Sequence, residues 1–345
     1  YGDFSFGYSV ANNGMVTGEY NDETKSYKAN LETEAFKAYG VKSAFLRKLD
    51  RLSQIQLLSG LKALEDSGLE VTPENEGAIG ICIGTTDGPM TEIANFQKGI
   101  IKDGIDKGSA FAFPNTVYNA AGGYLSIATG IKGYNVTIAN GFQSGLQSIC
   151  AASGAIMFGY EDIMLASGTD ECTDIDDEIY ADLGLTGEGG MKLGEGSVTC
   201  VIEKDSSAAA RGAKRYAKIA GFSSARDTSG NRLDNSRLSE ESLTKAIVNA
   251  LKEGGIDASD VKCIYGFGNG VSEIDDFEMS VYKKIFGDSI EVKLIKKELG
   301  EARAASSSMQ FAMLAKDIYE GKVANGLAVS FGTSALYSAV LLTKA

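Results

Sequence analysis

Residues 135–150 read Asn135-Val-Thr-Ile-Ala-Asn-Gly-Phe142-Gln-Ser-Gly-Leu-Gln-Ser-Ile-Cys150. An apolar, β-branched run ends in Asn-Gly, and a helical pattern of small residues begins at once, which predicts a buried strand turning sharply into a helix. Such an elbow exposes its first helical residue at the positive end of the helix dipole, where many enzymes hold a nucleophile. Here that residue is Phe142, and a phenyl ring cannot act as nucleophile, acid or base.

The composition restricts the possible partners. A chain of 345 residues, 43% of them hydrophobic, has room for one large α/β unit or two fused units. No run is apolar over a membrane-spanning length and no signal-peptide pattern opens the chain, so we expect a cytoplasmic protein with no membrane partner. A net charge of −13 without a long basic stripe argues against nucleic acid.

The chain contains no histidine, which excludes every mechanism that needs an imidazole base or ligand. None of the five cysteines has CxxC spacing, and most lie in apolar runs. We therefore expect reduced core thiols, with no metal and no cofactor.

Internal sequence repeats predict a duplicated α/β fold. Residues 61–72 are similar to residues 248–259, and each copy leads into a buried strand that carries a cysteine. Residues 159–169 are similar to residues 321–331, and each copy follows a helix rich in small residues. Two repeats in the same order indicate two halves, 1–205 and 206–345, packed as one body. We also expect a helix over 45–67 and a polar surface excursion over 15–40.

Four motifs carry a family resemblance: Asp50-Arg-Leu-Ser-Gln, Phe113-Pro-Asn-Thr-Val-Tyr-Asn-Ala-Ala-Gly-Gly, the elbow, and Lys192-Leu-Gly-Glu-Gly-Ser. Together they resemble the β-ketoacyl-ACP synthases of the thiolase superfamily. The resemblance implies a five-layered αβαβα fold and a two-fold dimer formed through the strand before the elbow. It also implies an acyl pocket near that interface, with a cysteine and two histidines for decarboxylative condensation.

The resemblance places all three catalytic positions on residues of other types. The elbow cysteine falls on Phe142, the first histidine on Phe267 or Gly268 depending on one gap, and the second histidine on Glu301. The second histidine belongs to the family's Lys-Ser-x-x-Gly-His pattern, which falls on residues 296–301. Only the lysine of that pattern remains, as Lys296, and we expect it to pair with Glu301. Some inactive relatives carry glutamine at the elbow, but here the glutamine comes one residue late, as Gln143.

We therefore interpret the chain as an inactive partner of an active ketosynthase, similar to a chain-length factor of polyketide, polyene or fatty-acid synthesis. In such a pair the inactive subunit supplies part of the acyl tunnel and the subunit interface. The candidate residues are Phe111, Phe113, Tyr118, Tyr124, Gln143 and Phe331. Each aromatic residue could equally be core or interface packing. Because the chain is acidic, we expect the acyl carrier protein to dock mainly on the partner.

Two other functions remain open. One is an active acyltransferase or β-ketoacyl synthase with an unusual nucleophile, such as Cys150 or Ser144. The other is a homodimeric scaffold that holds an acyl group in the old pocket.

Overall fold

The computed structural model describes residues 6–21, 26–29, 31–187, 189–228, 238–332 and 335–345, and of 6–21 the backbone alone. The strands are β1 (Phe6–Asn21), β2 (Ser26–Ala29), β3 (Ile79–Gly84), β4 (Asn135–Ile138), β5 (Ile163–Asp170), β6 (Gly196–Lys204), β7 (Lys218–Arg226), β8 (Cys263–Tyr265), β9 (Glu291–Lys293), β10 (Asn325–Phe331) and β11 (Leu336–Thr343). The helices are α1 (Thr33–Lys37), α2 (Ser43–Leu46), α3 (Arg51–Ser67), α4 (Met90–Asp103), α5 (Ala120–Thr129), α6 (Ser144–Met157), α7 (Asp174–Asp182), α8 (Asp205–Ala210), α9 (Glu240–Gly254), α10 (Ser272–Phe286), α11 (Lys296–Leu299) and α12 (Ala304–Tyr319). Short 3-10 helices span Ile105–Lys107, Phe113–Thr116 and Ala258–Asp260.

The two sheets share the same five-stranded topology, to which the first sheet adds the edge strand β2, and this confirms the duplicated fold. The first has the order β2-β1-β6-β5-β3-β4, and the second β7-β11-β10-β8-β9. In the first, β1-β6-β5 pair antiparallel and β5-β3-β4 parallel. In the second, β7-β11-β10 pair antiparallel and β10-β8-β9 parallel. The division at 205/206 stays a prediction.

Three hydrophobic cores separate five layers. One packs α3 and α5 against the first sheet, and another packs α9 and α10 against the second. The third lies between the sheets around α6 and α12. Because helices cover both faces of each sheet, β3, β5 and most of β10 are buried along their length, as their apolar sequences predict.

Two sequence predictions need correction. Residues 15–40 are not a surface excursion, because β1 runs to Asn21 and pairs with β6, and β2 pairs with β1. The helix expected over 45–67 begins at Arg51, where the Asp50 side chain accepts a hydrogen bond from Ser53 N at 3.3 Å. Across the described residues, every helix is too short or too polar to traverse a lipid bilayer.

Candidate functional site

The elbow is built by two glycines. Gly141, at φ 95°, turns the chain between β4 and α6 in a conformation that favours glycine. A Cβ on Gly145 would lie 2.1 Å from the carbonyl oxygen of Ala304, so α6 can cross α12 closely only with glycine here. The elbow therefore stands at the contact between the two central helices.

Phe142 lies at the elbow but is not exposed, contrary to the sequence prediction. Its side chain is only 4% exposed. The ring packs edge-on against Tyr180 of α7, with centroids 5.9 Å apart, and stacks on Phe267 at 6.2 Å. The elbow does present this residue above the sheet, but side chains distant in sequence cover it.

The rings continue into the second sheet. Phe331 at the end of β10 lies 4.4 Å from Phe267, centroid to centroid, and 5.2 Å from Tyr337 of β11. We call Phe142, Phe267, Phe331 and Tyr337 the aromatic stack. All four are buried, so apolar rings fill the space beside the elbow.

The predicted pair of Lys296 and Glu301 is present beside the stack. Lys296 Nζ lies 2.7 Å from Glu301 Oε2 and 3.4 Å from the centroid of the Phe267 ring. Glu301 Oε1 accepts a hydrogen bond from Arg303 N at 2.8 Å. Burial lowers the pKa of Lys296, although Glu301 acts in the opposite direction. The lysine is held in place by its partner and by the ring face.

Glu278 of α10 belongs to the site, and sequence reasoning missed it. Its carboxylate accepts hydrogen bonds from Phe267 N at 2.8 Å, Gly268 N at 2.5 Å and Tyr282 Oη at 2.9 Å. Burial raises the pKa of Glu278 to about 7. A signal existed, because Ile274, Glu278 and Val281 recur at helical spacing and so share one face of α10.

The two alternatives for the first histidine position differ in the structure. Phe267 directs its ring into the aromatic stack. A Cβ on Gly268 would instead lie 2.6 Å from Leu294 and 2.9 Å from Glu278 Oε1. Of the two, Phe267 is the one brought to the elbow. Gln143 is buried and its Nε2 donates to the carbonyl oxygen of Asn140.

The other predicted tunnel residues lie elsewhere, on the surface between α4 and α5. Phe111 is 73% exposed, Phe113 55% and Tyr118 39%. Tyr124 differs, because its hydroxyl donates to Asn115 Oδ1 at 2.6 Å and its ring packs edge-on against Phe45. The structure thus places Phe331 in the aromatic stack and Gln143 beside Phe142, whereas Phe111, Phe113 and Tyr118 are exposed.

Neither alternative nucleophile is activated. Ser144 Oγ accepts from Asn140 N at 2.8 Å and donates to the carbonyl oxygen of Gly141 at 2.6 Å, and Lys296 is engaged with Glu301. Burial raises the pKa of Cys150 to about 12, which disfavours the thiolate. Within the described ranges, no group of three or more Cys, Asp or Glu side chains is placed to hold a metal ion.

The duplicated sheets around a strand-to-helix elbow define the thiolase-like class of condensing enzymes. The model of the β-ketoacyl synthase N-terminal domain matches residues 15–183, and that of the C-terminal domain matches residues 216–330. The chain belongs to the β-ketoacyl synthase family.

A curated relative agrees with this assignment. The chain is 31% identical over 282 residues to 3-oxoacyl-(acyl-carrier-protein) synthase 2 of Vibrio cholerae, which is 74% of this chain and 62% of that protein. The match thus spans less than two thirds of the relative.

Two solved structures share the fold. The ishigamide ketosynthase/chain length factor matches with a TM-score of 0.84 at 17% identity, over 99% of this chain and 98% of that one. A type II polyketide ketosynthase, AntDE, in complex with its acyl carrier protein AntF matches with a TM-score of 0.80 at 19% identity, over 96% and 92%.

Proposed function

We propose that this chain is a catalytically inactive ketosynthase subunit that pairs with an active ketosynthase and shapes the acyl tunnel of the pair, as a chain-length factor does. The observation that carries the proposal is Phe142, which occupies the elbow, is buried and packs against Phe267. Condensation needs a nucleophile at the elbow to hold the acyl group, and a phenylalanine cannot form that bond.

The charges around the stack also oppose condensation. Decarboxylation of a malonyl thioester develops negative charge on the thioester oxygen, which an active site must meet with hydrogen-bond donors or positive charge. Glu301 contributes acceptor oxygens there, and Lys296, the cation that lies on the Phe267 ring, is already paired with it. The chain has no histidine to act instead.

Two surface features support a partner subunit. β4 is an edge strand of the first sheet, and an edge presents backbone groups that a second chain can pair with. α4 has no buried residue, and the segment after it exposes Ile105 at 79% and Phe111 at 73%. Exposed apolar side chains in such density mark interaction surfaces.

We further propose that the carrier protein docks mainly on the partner. The sequence has two short basic clusters, Lys42, Arg47, Lys48 and Arg51 in the first and Arg211, Lys214, Arg215 and Lys218 in the second. The second cluster is largely neutralised, because Arg211 pairs with Glu203 and Arg215 with Asp205. In the first cluster, Arg51 pairs with Glu195. The exposed cations Lys42, Arg47 and Lys48 remain, and they give this chain a minor share of the carrier contact.

Co-expression tests the proposal. The chain is produced with a ketosynthase homologue that retains the elbow cysteine and both histidines, and the complex is weighed by native mass spectrometry. We expect an unequal pair, and no turnover of malonyl thioesters by this chain alone. A stable homodimer with bound lipid, or turnover by the chain alone, would contradict it.

A further inference from the structure

Arg303 is buried in an unusual conformation next to the elbow. It precedes α12 with φ 53° and ψ −114°, in a region that residues with a side chain rarely adopt. Its side chain is 0% exposed. Such backbone strain persists only where surrounding contacts hold it.

The contacts that hold Arg303 come from three separate elements. Its Nε lies 3.4 Å from Asp87 Oδ2, and its Nη1 lies 3.4 Å from Asp176 Oδ2 on α7. Its Nη2 donates to the carbonyl oxygen of Glu171, just after β5. The guanidinium also faces the ring of Tyr180, which packs on Phe142.

Asp170 is the second hub of the same cluster. Its carboxylate accepts from Thr85 Oγ1, Thr86 N and Ala304 N, each at 2.8 Å. It therefore ties the loop of residues 85–88 to the first residue of α12. That loop also contacts the segment between α4 and α5, since a Cβ on Gly88 would lie 2.8 Å from the ring of Tyr118.

The charges of this cluster do not balance. Asp87, Asp170 and Asp176 supply three carboxyl groups, against the single guanidinium of Arg303. Several charges of a buried cluster cannot remain unpaired without a large desolvation cost. The titratable or charged neighbours from the adjoining elements are Lys28, Asp50, Tyr118, Glu171, Cys172 and Asp177, and more of these are acidic than basic.

We propose that the Arg303 cluster, formed by Arg303, Asp87, Asp170 and Asp176, binds a proton near neutral pH and thereby sets how firmly the loop of residues 85–88 is held to α12. Uptake of one proton lowers the excess negative charge of the cluster by one and leaves the guanidinium with its two remaining carboxylates. The loop and the start of α12 are then held more tightly.

The titration of the carboxyl groups agrees with this geometry. Burial raises the pKa of Asp170 to about 6, and burial also raises the pKa of Asp87. We call the state in which the loop of residues 85–88 is bound to α12 closed, and the state in which it is released open. A carboxyl whose pKa is higher in the closed than in the open state stabilises the closed state when protonated. The stabilisation is therefore greatest at low pH and is lost as the pH rises through about 6.

Hydrogen exchange of the full chain, purified alone, tests the proposal. The informative amides are Thr86 and Ala304, which donate to Asp170. After correction for intrinsic exchange rates, we expect opening at these amides to be about tenfold more frequent at pH 7.5 than at pH 5, for one carboxyl raised by about two pKa units. A pH-independent opening equilibrium would overturn the proposal.

Two variants keep the test sharp. Asp87→Asn removes one negative charge from a side chain that is 27% exposed, so its amide can reach water. The variant should slow the exchange of both amides at pH 7.5. It should also reduce the ratio of opening at pH 7.5 to opening at pH 5 at least twofold. Asp205→Asn is the matched control, because Asp205 pairs with Arg215 at a remote site and is 31% exposed. It should keep the wild-type profile, and identical profiles for the two variants would contradict the proposal. The result does not depend on whether the chain has a partner.

Discussion

Lys296 and Glu301 form an ion pair from which water is excluded, with Nζ 2.7 Å from Oε2 and the side chains 1% and 0% exposed. The pair stands where the resemblance places a lysine and a histidine of the active enzymes. A buried pair adds little net stability over apolar residues of the same volume, but breaking it leaves one charge buried and alone. The two residues are therefore dependent on each other.

Lys296→Met should destabilise the fold by about 3–5 kcal/mol, because Glu301 would lose its counter-charge in a buried site. Adding Glu301→Gln in the same chain should recover part of the loss, since the unpaired charge is then removed. Denaturant unfolding of the wild type, both single variants and the double variant measures the coupling.

Lys37→Met is the matched control for that cycle. Lys37 lies 2.6 Å from Glu34, but the two side chains are 50% and 75% exposed. Its loss should change the free energy of unfolding by less than about 1 kcal/mol. Additive effects of Lys296→Met and Glu301→Gln would show that the buried pair is not coupled.

Phe142→Ala should cost about 3–5 kcal/mol, because the ring is buried against Tyr180 and Phe267 and its removal leaves a cavity. Phe158→Ala is the control at the other end of α6, where the ring is 77% exposed and should matter by less than about 1 kcal/mol. Thermal and denaturant unfolding compare the two. Equal effects would mean that the aromatic stack does not pack as described.

The elbow and the duplication could be predicted because both are indicated by patterns within short stretches of the sequence. The run from Asn135 to Cys150 carries its own strand, turn and helix signals. The repeated helix and strand segments occur in the same order in both halves of the sequence, and the two sheets share the same pattern of strand pairing. Each signal needs only neighbouring residues, which is why sequence reasoning reached the architecture.

The cover of the elbow could not be predicted in the same way. Phe142 is buried by Tyr180, 38 positions later in the chain, and by Phe267 from the other half. β2 and most of β1 were missed because polar strands become recognisable only through their pairing. β1 pairs with β6, which lies far along the chain, and β2 pairs with β1. Arg303 gave no signal at all, since its partners meet only in the folded state.

Glu278 should make stability depend on pH. Burial raises its pKa to about 7, above the ordinary value near 4.5, so the folded state holds the proton to higher pH than the unfolded state does. The free energy of unfolding should therefore fall as the pH rises from about 4.5 to about 7, by up to about 3 kcal/mol for this group. Denaturant unfolding across this range measures the slope.

Glu278→Gln removes this titration. The amide that replaces the carboxylate has only one oxygen to accept from Phe267 N and Gly268 N, so the variant can also lose stability at every pH. The variant should be less dependent on pH than the wild type, whatever its absolute stability. Glu273→Gln, at an exposed position of the same helix, should keep the wild-type slope. An unchanged slope in Glu278→Gln would assign the pH dependence to other buried carboxyls such as Asp170.

In the proposed pair with an active ketosynthase, the surface aromatics should differ in their effect on product length. Phe111, Phe113 and Tyr118 are exposed in this chain, so a partner can pack on them and a growing acyl chain can meet them. Replacing the residue that limits the tunnel with alanine should lengthen the product. In this chain alone, Phe111→Ala should lower the free energy of unfolding by less than about 1 kcal/mol.

Tyr124→Phe is the control and should leave the product unchanged, because the Tyr124 hydroxyl is bound to Asn115 inside the chain. Mass analysis of products from the co-expressed pair distinguishes these outcomes, and an unchanged product in all three alanine variants would contradict a tunnel-lining role for this segment.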